Sequence, residues 1–285
     1  MDTAKITTEK EAREAVRRDG LALEHVAEKL KTAELCLMAV RESVLALEHV
    51  PENIKIAEFW PAAVRQNWYA LKYVPDALKT AEICLSAVEE CGSMLEFVPD
   101  ALKTAELCLA AVEAYVDEGE LSALQYVPEN LKTAELCLVA VVHQIFALEY
   151  VPEELRSAEI CLAAVIKDGA MLELVPEALK TAGLCRVAVR QGSGTALEYV
   201  LEKFRTAELY LAAVQRRGFN LEHVPGELVT PELCLAAVEE AGCALKHVPE
   251  KFITVELCIA AVRQNSKALD FVPAELRALV KKDVA

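Results

Sequence analysis

A valine returns along this chain at a nearly fixed interval: Val26, Val50, Val74, Val98, Val127, Val151, Val175, Val200, Val224, Val248 and Val272. Eight of the ten intervals are 24 residues; the exceptions are 29 residues before Val127 and 25 before Val200. The words around the valine repeat too, as in ALEYVPEELRSAEICLAAV at 147–165. A unit this short holds only small elements that cannot bury their own apolar faces, so neighbouring units must stack to make a core. The period predicts a single domain over 1–285, with no linker. It comprises a capping partial unit at 1–25, ten units over 26–271 with an insertion near 115–120, and a C-terminal cap at 272–285.

Within a unit, TAELCLAAV (104–112) predicts a helix of about three turns. A Ser or Thr suits its N-cap (Thr32, Thr80, Thr104, Thr133, Ser157, Thr181, Thr206, Thr230, Thr254), and a Glu two residues on meets the positive end of the helix dipole in most units. The helix is apolar almost all round and must be covered on more than one side. Glycine or asparagine is expected to end it, as in Asp168-Gly169 and Glu240-Ala241-Gly242. The remainder of the unit carries a helical stripe of Leu, Val and Leu, but Pro75, Pro99, Pro128 and Pro152 interrupt it. One broken short helix, or two single turns, should result. The fold class is all-α, an α-solenoid of about eleven 24-residue helical repeats.

The pattern L-x-Y-V-P-x-x-L-K-T-A-E-L-C-L-A-A-V resembles the short helical repeats of a bacterial family catalogued only as a domain of unknown function. The resemblance extends to A-A-V-x-x-N-G at the helix end and A-L-x-Y after it, and covers the chain from about Thr7 to Leu279. It implies a bacterial or bacteria-derived helical array and brings no activity, cofactor or catalytic residue with it. The Val-Pro pair departs from the small polar residues of such units.

The net charge of −15 argues against direct nucleic-acid binding, which needs clustered Lys and Arg. An acidic field attracts basic partners instead. The charged N-terminus does not read as a signal peptide, and no apolar run approaches the roughly 20 residues of a membrane span. Ten cysteines spaced by the repeat do not resemble a secreted disulfide scaffold, so a reducing, cytoplasmic location is expected. No nucleotide-binding, metalloprotease, CxxC or nucleophile-elbow motif occurs, and the expectation is a protein without catalysis, cofactor or metal.

Cys36, Cys84, Cys108, Cys137, Cys161, Cys185, Cys234 and Cys258 share one repeat position, which Trp60 and Tyr210 fill elsewhere. One repeat of separation is too long for shared metal ligation, so these read as core. Cys91 and Cys243, near inter-helix turns, read as exposed thiols. The residue before the repeat valine is a ring: His25, His49, Tyr73, Phe97, Tyr126, Tyr150, Tyr199, His223, His247 and Phe271. That row is either packing at the core edge or a strip for gripping a peptide. Acidic residues two before and two after the valine form a solvated face or a stripe for a basic partner, answered once per unit by Lys or Arg.

The departures from the repeat are the other candidates. Val44-Leu45, Trp68-Tyr69 and Ile145-Phe146 place large apolar groups where other units carry small residues, with Phe219 just after its glycine, and could line a binding edge. Trp60-Pro61 should kink or shorten its helix. The insertion brings Asp117, Glu118 and Glu120 around Gly119 into an acidic loop. The expected function is a protein- or peptide-binding scaffold, with an acidic nucleic-acid mimic, immunity or inhibitor protein as the alternative.

Overall fold

The computed structural model describes residues 6–116, 122–144, 146–192 and 195–284. Its contacts divide into two compact units, Met1–Leu155 and Arg156–Ala285. Among the described residues twelve α-helices alternate with short 3-10 helices, and the only extended pairing is an isolated bridge between Ile6 and Val26. The architecture is an all-α, solenoid-like array of repeats. No described helix is long and apolar enough to cross a membrane.

One repeat shows how the sequence builds all of them. Thr80 Oγ1 accepts from the Ile83 N–H at 3.3 Å and starts the helix Ala81–Glu90. That helix buries Ile83, Cys84, Ala87 and Val88, a stripe at helical spacing. Cys91 leaves the helix in extended geometry, and Gly92–Phe97 forms a 3-10 helix that buries Met94 and Leu95. Val98 is held extended (ψ 127°) by the ring of Pro99 behind it. Pro99 then opens a second 3-10 turn, Asp100–Leu102, its carbonyl accepting from the Leu102 N–H at 2.8 Å. The Val-Pro step thus separates two 3-10 helices. Ordinary Ser or Thr caps precede nine of the α-helices at the positions read from the sequence.

Glycine has a different part from the one expected. The residues that end the helices, among them Cys91, Asp168 and Ala241, are extended rather than left-handed. Glycine comes one residue later, and a Cβ there would run into the backbone carbonyl of an alanine one repeat on: Gly92 meets Ala111, Gly169 meets Ala188, and Gly218 meets Ala237. Its missing side chain permits close stacking of repeats rather than a helix cap.

Three local departures follow. Cys91 is buried, contrary to its reading as an exposed thiol, because its side chain turns inward to Ser93 at 3.0 Å; Cys243 is half-buried. The helix Phe59–Gln66 is eight residues long, with Pro61 in its first turn and no side-chain cap, since Ile56 stands where other units have Ser or Thr. The acidic-loop residues Asp117, Glu118 and Glu120 lie outside the described residues, as does Ile145. Beside that insertion, Gln144 is buried, donating to the Ala111 carbonyl at 3.2 Å and accepting from the Ala123 N–H at 2.9 Å and from Ser122.

Candidate binding surface

The row of rings is held by a set of bonds that joins a repeat to the next in six places. Lys31 donates to the carbonyl of His49, Lys79 to Phe97, Lys103 to Tyr126, Lys132 to Tyr150 and Lys180 to Tyr199, at 2.7–3.1 Å. Arg156 does the same for Leu174 at 2.8 Å. The bond spans 18 residues, or 23 and 19 where the chain carries its insertions, so the insertions leave the register intact. Lys31, Lys79, Lys103 and Lys132 also pair with an acidic residue three positions earlier, at 2.7–3.0 Å. Their side chains are only 6–10% exposed, so the basic row is structural rather than a solvated face. Each bond satisfies a carbonyl at the end of a 3-10 helix that has no helical partner. Even the first such carbonyl, on His25, is met: the Ile6 N–H donates to it at 2.8 Å.

The cysteines lie beneath these cationic side chains. Burial pushes their thiols up, to about 11 for Cys36, while Lys31 pulls the other way. Burial likewise raises Cys84, Cys108, Cys137, Cys161 and Cys185 against the cation beside each. They are neutral packing groups. Where the cysteine is replaced by a large ring, the bond to the next repeat is gone. Lys55, in the repeat of Trp60, meets Glu52 at 2.8 Å and, among the described residues, no carbonyl. Arg205, in the repeat of Tyr210, turns back to the carbonyls of Val200 and Glu198 in its own repeat. A thiol leaves a path for the cationic chain, and an aromatic ring fills it.

In the first unit, Asn67 positions an aromatic cluster. Its side-chain oxygen accepts from the Tyr69 N–H at 3.1 Å and its amide donates to the Val40 carbonyl at 3.2 Å. Tyr69 packs edge-on against Trp68 (5.5 Å between centroids) and against Phe97 of the next repeat (6.4 Å). Lys72 sits 5.7 Å from both the Tyr69 and Phe97 rings. The breaking residue and the ring row therefore meet here.

The second unit repeats the arrangement with different chemistry. Phe219 packs edge-on against His247 at 6.2 Å, beneath Lys246 at 5.3 Å. Glu222 lies 3.6 Å from the Nε2 atoms of both His223 and His247. His247 Nε2 is buried without a hydrogen bond among the described residues. Burial lowers the pKa of His247, Glu222 raises it, and Lys246 and His223 lower it further.

The other candidates are placed less tightly. Tyr73, Tyr126, Tyr150 and Tyr199 are half-buried along the row, and Phe146 is exposed, with no ring contact among the described residues. The acidic residues before the valine, including Glu24, Glu48, Glu96, Glu149, Glu173 and Glu198, are exposed beside the rings. Glu173 reaches Tyr199 of the next repeat and, through that hydrogen bond, raises its pKa. Among the described residues no three metal-ligating side chains converge. The arrangement offers rings, carboxylates and cations along a row, which suits contact with a chain. Sequence reasoning missed the lysine bonds; their only signal was a cation five residues before six of the eight cysteines at the repeat position, with Val229 and Ile253 in its place before Cys234 and Cys258.

No curated protein sequence matches the chain. The family model described as Domain of unknown function (DUF4116) matches residues 12–55, 80–132 and 230–277, which together make half of the chain. The chain belongs to the DUF4116 family.

Proposed function

We propose that the chain is a non-catalytic scaffold that holds another protein or peptide, a basic one in particular, along its row of rings and carboxylates. One observation carries this reading. In each unit an aromatic residue that breaks the repeat reaches the ring of the next repeat beneath a lysine, as Tyr69–Phe97 and Phe219–His247 do. The repeat itself does not require such residues, since most units stack without them. Aromatic rings of this kind are enriched in protein-contact surfaces.

The test is affinity capture from cells of the native source, with the wild-type chain beside Trp68→Ala/Tyr69→Ala and Phe219→Ala/His247→Ala. A partner retained by the wild type and lost by one of the pairs supports the reading; a partner held equally by all three overturns it. The alternative, an acidic mimic of nucleic acid acting as an immunity or inhibitor protein, draws on the exposed carboxylates before the valine. It requires capture to vanish as salt rises from about 0.05 to about 0.5 M, because screening shortens severalfold over that range.

A further inference from the structure

The two repeats whose cysteine is replaced by a large ring share a feature that the regular repeats do not need. A groove of about 270 Å³ is lined by Leu47, Glu48, Lys55, Trp60 and Tyr73, with Glu52 and Pro75 at its edge. In the second unit a groove of about 330 Å³ is lined by the equivalent residues, Leu197, Glu198, Arg205, Tyr210 and His223. Both open where the cation no longer crosses to the next repeat's carbonyl. The first groove carries unmet hydrogen bonding as well. Trp60 is 3% exposed, and its indole N–H has no partner among the described residues. Lys55 is bonded to Glu52 alone, where Lys79 one repeat on holds both an acid and a backbone carbonyl. Glu48 is exposed at the rim, and among the described residues it has no ion-pair partner.

We infer that this groove takes one basic residue of an extended peptide belonging to the partner, a proposal that rests on the peptide-binding reading above. The peptide's backbone carbonyl accepts from Lys55, which among the described residues bonds to Glu52 alone. Its Lys or Arg side chain lies across Tyr73 toward Glu48, where the ring face and the carboxylate both favour a cation.

The test uses the full chain, labelled with ¹⁵N, and blocked pentapeptides of alanine with Lys, Arg, norleucine or Glu at the centre. The two tryptophans give two indole N–H resonances, assigned by Trp60→Phe. The Lys and Arg peptides are expected to move the resonance of Trp60, which lines the groove, saturably, binding about tenfold more tightly than the norleucine peptide. Glu48→Gln should abolish that preference. Failure of all four peptides to move the resonance, or equal binding of the Lys and norleucine peptides, overturns the proposal. The cellular capture experiment, read at Trp68 and Tyr69, is independent of this resonance. Capture that depends on those residues with a silent Trp60 refutes the groove alone, while a responsive Trp60 with capture indifferent to them refutes the ring surface alone.

Discussion

Two consecutive repeats, one open and one closed, differ at only a few equivalent positions. In the closed one, Thr80 caps a ten-residue helix, Cys84 sits in the core, Gly92 lets the next repeat approach, and Lys79 holds the Phe97 carbonyl at 2.7 Å. In the open one the same positions carry Ile56, Trp60, Trp68 and Lys55, the helix has eight residues and no side-chain cap, and the lysine stops at Glu52. The closed repeat is written for stability. The open one gives up a cap and an inter-repeat bond, and gains aromatic surface and a groove, a trade that functional sites commonly make.

That contrast can be broken by moving residues between the two. Gly92→Val should have the largest effect, since its side chain has nowhere to go but the Ala111 backbone. Overpacking of this kind costs about 3 kcal/mol, read by urea unfolding. Next, Lys79→Met strands the Phe97 carbonyl, at a cost of about 2 kcal/mol. The matching Lys55→Met removes only a pair with an exposed Glu52 and should change stability by no more than about 0.5 kcal/mol. Equal losses for the two lysines would show that the inter-repeat bond carries no weight. Thr80→Ala should cost about 1 kcal/mol, whereas Ile56→Thr should add a few tenths by supplying the missing cap, on the order of 0.5 kcal/mol.

The smallest effect concerns pH, and it separates the two ring clusters. Phe97 does not titrate, but His247, its counterpart in the second unit, has a lowered pKa because burial disfavours its charge, with Lys246 and His223 lowering it further against Glu222. The unfolded chain therefore binds a proton more readily than the folded one. Stability from this group is fully present above the ordinary histidine value of about 6.5 and falls as pH drops below it. Melting temperatures between pH 7.5 and 5, compared for wild type and His247→Phe, should show a shallower acid loss in the variant. Parallel curves would remove His247 from the account.

Local chemistry was readable in the sequence and distant chemistry was not. The caps from Thr32 to Thr254, the buried cysteine stripe and the two turns around each Val-Pro depend on neighbours within one repeat, so spacing reveals them. The glycines, the lysines and Cys91 depend on what lies one repeat away or across a turn. Gly92 looks like a helix stop until Ala111 is placed against it, and Lys79 looks like a surface charge until the Phe97 carbonyl is placed above it. Of the candidate surface, Trp68, Tyr69 and Phe219 were visible as departures from the repeat. Their partners Phe97 and His247 were visible as a row, but only the packing of successive repeats joins the two sets.

The central claim is that bulk at the cysteine position is what opens a repeat, and a crystal structure of Trp60→Cys tests it most directly. The prediction is a Lys55 ammonium within hydrogen-bonding distance of the Tyr73 carbonyl, as Lys79 is of Phe97, with the groove beside Glu48 closed. A Lys55 that remains on Glu52 alone, beside a groove of unchanged size, would contradict it.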